Sequence, residues 1–223
     1  MTGGQAATTL LRTLQGQLDE YLADLRSLVE VDCGSHDKAG VDEVGRRFAS
    51  VLRRCGFDVE ILSVDELGDC LRGRVRGVGR GRLLLLGHLD TVYPDGTAAE
   101  RPMRIRDGRV LGPGVNDMKA GLLAGAYAVR AMLATGFEAF DEITFFCNGD
   151  EEIGSRASAE LYRPDALAAD AAFVLEAARA DGAIVSERKG GGRFRLTVAG
   201  RSAHAGVEPE KGANAILELA HRI

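Results

Sequence analysis

The chain has 223 residues and a mass of 23.7 kDa, with 45% hydrophobic, 27% charged and 5% aromatic residues and no Trp, enough to bury a sizeable core in one domain or one and a half. Lys plus Arg is 28 against 33 for Asp plus Glu, giving a net charge of −5 and a pI of about 5.5, which argues against a nucleic-acid partner or an anionic membrane surface. There is no run of eighteen apolar residues, no basic-then-apolar leader at the start and no CxxC pair among the four cysteines, so a cytoplasmic chain with reduced thiols is expected.

Leu11, Leu14, Leu18, Leu22, Leu25 and Val29 recur at helical spacing and predict one amphipathic helix over roughly 8–31. Val41, Val44, Phe48, Val51 and Leu52 mark a second helix, with Gly56 as its C-terminal cap. FDVEILSV reads as a strand, and LRGRVRGVGRGRLLLLGHLD as two strands joined by a glycine-rich turn. Arg104 to Leu111 is a hairpin turning at Asp107-Gly108. Met118 to Thr135 is an Ala/Leu-rich helix, EITFFC a buried strand, Gly154 to Tyr162 a short helix and AAFVLE another strand. This alternation predicts an α/β fold with a mostly parallel sheet covered by helices. Near 186 the character changes: a glycine-rich turn, a strand through Phe194, Leu196 and Val198, and a helix from about Gly212. The expected organisation is a larger domain over 1–186 and the start of a smaller α+β domain over 187–223.

Three apolar strands end in metal-type side chains: LLLLGHLD in His88 and Asp90, ITFFCNGDEE in Asp150, Glu151 and Glu152, and AAFVLE in Glu176. The C-terminal strand ends of an open α/β sheet line its ligand crevice, so these segments can converge. His88 and Asp90, two apart on an extended chain, share a face, and a carboxylate there can fix the tautomer of a metal-bound imidazole. Asp117 precedes the Met118 helix. Taken singly, each has a plainer reading: a buried histidine, a helix cap, an acidic loop, a surface glutamate. Together, so many carboxylates raise one another's pKa unless divalent cations offset the repulsion, and His with carboxylates suits zinc.

GHLDTV, GPGVNDMKAG, NGDEEIGS and GRSAHAG resemble the signatures of the di-zinc metallopeptidase and amidohydrolase family of carboxypeptidase G, peptidase T, acetylornithine deacetylase, succinyl-diaminopimelate desuccinylase and aminoacylase. DEE followed closely by Gly-Ser is most similar to the carboxypeptidase G-like members. The resemblance implies a zinc-exopeptidase-like catalytic domain and a hydrolase for the amide bond of a small peptide or N-acyl amino acid. It implies two zinc ions, with cobalt or manganese as substitutes. His88, Asp117, Glu152 and Glu176 would ligate, Asp117 bridging both metals, while Asp90 orients His88 and Glu151 serves as general base. The smaller domain implies a homodimer in which His204 helps hold the oxyanion, and the Asp117–Met118 peptide is expected to be cis.

The family's last His ligand has no counterpart here; His36 and His221 stand in other contexts. The chain is therefore expected to correspond to the N-terminal half of such an enzyme. Three readings follow: a glutamate-carboxypeptidase-like exopeptidase, a deacylase or desuccinylase, or a truncated, non-catalytic metal-binding fragment. The arginines at 72, 74, 76, 80 and 82 read as an exposed strand face, Gly77, Gly79 and Gly81 as a turn, and Cys147 as packing.

Overall fold

In the computed structural model, which describes residues 3–192 and 194–223, the chain divides into two compact units, Met1–Ala177 and Ala178–Ile223. The first unit opens with two helices where the periodicity predicted one: α1 (Gly3–Gln15) and α2 (Leu18–Val29). Gly16 and Gln17 separate them, because a glycine and a residue near φ −102° and ψ 2° jog the axis without ending the apolar stripe. Helix α3 (Lys38–Arg54) is N-capped by Asp37, which accepts from the Gly40 N–H. Gly56 follows it at φ 97°, the left-handed conformation that a C-terminal glycine supplies.

The central sheet contains β1 (Asp58–Leu62), β2 (Gly68–Arg76), β3 (Arg82–His88), β6 (Glu142–Gly149) and β7 (Ala171–Val174) in the order β1-β2-β6-β3-β7. The α/β sheet covered by helices is present, and its pairing is mixed: β3 is parallel to β6 and β7, whereas β1, β2 and β6 are antiparallel. Strands β2 and β3 are consecutive in sequence but not neighbours, since β6 inserts between them. Between β3 and β6 lie the short helix α4 (Thr97–Glu100), the hairpin β4 (Arg104–Arg106) and β5 (Arg109–Leu111), and α5 (Ala120–Ala134). The hairpin turns at Asp107 and Gly108, both at positive φ as a primed turn requires.

Every residue of β6 is buried, and successive side chains serve opposite faces. Phe145 packs with Phe48, Leu28, Leu89, Met118 and Leu122 in the main core beneath α2, α3 and α5. Phe146 packs on the other face with Cys70 and Leu84, against Leu161 and Tyr162 of α6 (Ala159–Ala168). That helix begins later than predicted. Gly154 (φ 96°) and Ser155 (φ 52°) hold left-handed backbone that a helix from 154 could not contain, and a short 3-10 turn at Glu151–Ile153 precedes them.

In the second unit, α7 (Ala215–Arg222) is capped by Asn214, whose side chain accepts from the Ile216 and Leu217 N–H groups. The strand expected through Phe194, Leu196 and Val198 is not formed; among the described residues of this unit the only β pairing is an isolated bridge between Arg201 and Ala213. Alternation alone does not make a strand without a partner ladder, and Phe194 is exposed. No described helix is long and apolar enough to cross a membrane.

Candidate metal centre

The parallel ladder places the ends of β3 and β6 side by side, with His88 opposite Asn148, and β7 on the other flank of β3 leads to Glu176. Asp117 reaches the same place from the irregular turn Val115–Lys119, which enters α5 through a cis Asp117–Met118 peptide. Gly121, the second residue of that helix, lies where a Cβ would overlap the Leu175 carbonyl, so only glycine lets α5 approach the segment that carries Glu176.

His88 is 1% exposed, and its two ring nitrogens both face oxygen acceptors. Nδ1 lies 2.9 Å from the Asp90 carbonyl oxygen and 3.4 Å from its carboxylate, while Nε2 lies 3.0 Å from Asp117 Oδ1 and 3.3 Å from Glu176 Oε1. A neutral imidazole has one N–H, so one of these faces must be met by a second proton or by a cation. Burial works against the charged ring, but the hydrogen bond and charge of Asp90, with Glu176, outweigh it and push the pKa up to about 9. Burial also acts on Asp90, yet the His88 and Ser35 hydrogen bonds hold its carboxyl below the ordinary value. Burial raises Glu152, to about 6, and the charge of Asp117 adds to it. Burial raises Glu176 too, with Asp117 and Glu151 adding and His88 opposing.

Two overlapping donor sets result, His88 with Glu151 and Glu176, and His88 with Asp117 and Glu152, the donor atoms of each within 4.8 Å of one another. Mutually repelling carboxylates around an imidazole nitrogen already facing acceptors fit a divalent cation. The five residues expected at the centre are thus brought together, with Asp90 beneath them. His204 lies in the second unit, exposed, its Nδ1 accepting from the Gly206 N–H. Four arginines of the stretch face acids: Arg72 and Arg74 face Asp165, and Arg76 and Arg82 face Glu142. All four cysteines are buried and unpaired, and burial pushes the Cys147 thiol well above its ordinary value, as packing predicts.

Two supporting residues, Ser35 and Lys119, escaped the sequence reading, and a third, Asp150, was read in another role. Ser35 Oγ donates to Asp90 Oδ2 at 2.6 Å, a partnership across 55 residues that no local pattern announces. Asp90 also accepts from the Glu151 and Glu152 N–H groups, tying the β3 end to the β6 loop. Asp150, read with its two neighbours as one acidic run, is instead buried and accepts from the Ala157 N–H and the Ser158 hydroxyl. The period of two that places Asn148 and Asp150 on one side of β6 was its available signal. Lys119 is 1% exposed and donates to the Leu28 and Val31 carbonyls at the end of α2.

Residues 84–222 match peptidase family M20/M25/M40. The chain belongs to this family. Carboxypeptidase G2 of Pseudomonas sp. (strain RS-16) is 32% identical over 197 residues, covering 87% of this chain and 48% of that protein. Succinyl-diaminopimelate desuccinylase of Maricaulis maris (strain MCS10) is 33% identical over 188 residues, covering 78% of this chain and 47% of the relative. The chain spans about half the length of these curated M20/M25/M40 relatives. Among solved structures, human carnosine dipeptidase 1 superposes with a TM-score of 0.65 at 21% identity over 75% of this chain and 40% of that one. Aminopeptidase PepT from Bacillus cereus gives 0.63 at 21% identity, over 91% and 55%. At those identities the likeness shows the shared M20 fold.

Proposed function

We propose that this chain carries the metal centre of a hydrolase that cleaves the amide bond of a peptide or N-acyl amino acid, as a glutamate-carboxypeptidase-like exopeptidase. The observation that carries the reading is the convergence of His88, Asp117, Glu151, Glu152 and Glu176 from three strand ends and one helix start onto an imidazole whose two nitrogens both face acceptors. His88, Asp117, Glu152 and Glu176 would hold two zinc ions. Bound zinc supplies the Lewis acidity that acidifies water and polarises the scissile carbonyl.

The chain's own residues perform the rest. Asp90, fixed by Ser35 and by two backbone N–H groups, holds the His88 ring by Nδ1 and presents Nε2 to the site. Glu151, exposed on the turn after β6, takes the proton of the attacking water and passes it to the leaving nitrogen. His204 is assigned to stabilising the oxyanion in a homodimer, a role supported by its place in GRSAHAG. The buried free thiols support a reducing compartment, the cytoplasm.

A second reading, removal of an N-succinyl group by the same centre, is favoured by the desuccinylase relative. Zinc-loaded protein assayed on N-acyl glutamates and dipeptides tests the first reading. Turnover that stops with a chelator and with Glu151→Gln is expected, whereas hydrolysis that survives chelation overturns the mechanism.

A further inference from the structure

Beside the centre lies a cleft of about 710 Å³ that touches Glu152 but not Glu151. Its walls are the segments 34–37 and 91–95. They are fastened to each other and to the scaffold before any ligand arrives. Gly34 bridges to Thr91, and the Thr91 N–H donates to the Cys33 carbonyl at 2.9 Å. Asp32 accepts from the Gly96 and Ala98 N–H groups just past the second wall. A preformed cleft with apolar patches and a few polar groups is what a substrate side group occupies.

We propose that this cleft receives the acyl side of the substrate, and that it takes a neutral apolar acyl group while rejecting one that ends in a second carboxylate. The inference rests on the first hydrolase reading above and stands against the second, since an N-succinyl group is what the cleft would turn away. Glu151 delivers its proton to the leaving nitrogen, so the amine half belongs on the Glu151 side and the acyl half on the side that Glu152 borders. Val92, 68% exposed, and Ile153 offer apolar contact. Asp37 and Asp95 add negative charge, and the described lining includes neither Lys nor Arg, its one imidazole being His36. Lys38, next in sequence to the lining Asp37, pairs with Asp42 and Asp69, and Arg101 stacks over the ring of the lining Tyr93 at 5.4 Å. A carboxylate entering the cleft therefore meets the charges of Asp37 and Asp95 with no lining Lys or Arg to pair with it.

The test compares N-butanoyl-glutamate with N-succinyl-glutamate, acyl groups of similar length that differ by the terminal carboxylate. Their kcat/KM values are measured on the zinc-loaded chain, and their affinities by calorimetry on zinc-loaded Glu151→Gln, so that the preference is read whether or not turnover occurs. A preference of about tenfold or more for the butanoyl compound is expected. Asp95→Lys should shrink it at least about threefold, and Val92→Asn, which removes the apolar contact without adding charge, should weaken the butanoyl compound most. Equal or better handling of the succinyl compound, a preference unmoved by both variants, or binding of neither compound overturns the inference. Absence of turnover on both, with the binding preference intact, overturns the hydrolase reading instead.

Discussion

Strands β3 and β6 run parallel, His88 beside Asn148, and both leave the sheet through acidic residues, yet they handle charge in opposite ways. At the end of β3 the polar residues His88 and Asp90 are both buried and bonded to each other and to the β6 loop. At the end of β6 only the first acid is buried. Asp150 fastens the loop from within, and Glu151 and Glu152 turn outward. A run of three like residues is thus split into one that fastens the loop and two that stand beside His88 at the centre. The division follows from hydrogen bonds: Asp150 finds backbone and hydroxyl donors, and burying the other two without such donors would cost more than solvating them.

The sharpest break in this contrast comes from neighbouring substitutions. Glu151→Gln should lower kcat about a thousandfold, with the urea midpoint and zinc stoichiometry unchanged. Asp150→Ala should do the reverse in kind, lowering stability by about 2–4 kcal/mol in urea denaturation because the Ser158 and Ala157 donors lose their acceptor. If Asp150→Ala left the midpoint unmoved, the division of labour would be wrong. Asp90→Asn, which disturbs the orientation of the His88 ring, should weaken zinc binding about 10–100-fold by competition with a chromogenic chelator.

Acidity sharpens the comparison further. In metal-free protein the folded pKa of His88, about 9, lies above the ordinary 6.5, so its ion pair contributes fully below about 6.5 and is lost as pH rises through 9. Glu152, an acid raised from 4.5 to about 6, is also protonated more tightly in the folded state, so stability falls again as pH rises through that window. Chelated protein should therefore melt at lower temperature as pH rises from 6 to 9, and zinc-loaded protein should not. The smallest effect is expected from Ser35→Ala, about 1 kcal/mol in the same denaturation experiment, since Asp90 keeps its two backbone donors.

Which of these residues could be read in advance follows from how local their partners are. His88, Asp90, Glu151, Glu152 and Glu176 were legible because each follows an apolar strand, and a short continuous apolar run with a polar terminus is written in consecutive letters. Ser35 and Lys119 were not, because their partners lie 55 and about 90 residues away and neither position follows a period. The helices were visible through apolar spacing, but the break at Gly16 was not, since α1 and α2 continue one stripe across it. The mixed pairing of the sheet was hidden for a related reason: insertion of β6 between β2 and β3 is a choice among long-range ladders that alternation cannot rank. Phe194, Leu196 and Val198 show the converse, a strand-like pattern with no ladder to join.

The buried ammonium of Lys119 sets a limit on how this protein can be dissected. Its donors are met by the Leu28 and Val31 carbonyls, at the close of a helix that lies more than fifty residues upstream of the segment recognised as the family's own. A recombinant piece cut to begin at residue 84 would retain Asp117 and its turn but leave a cation in an apolar core with nothing to accept from it. The smallest autonomous unit around the centre must therefore include α2, so the boundary of a foldable piece lies upstream of the boundary of recognisable ancestry.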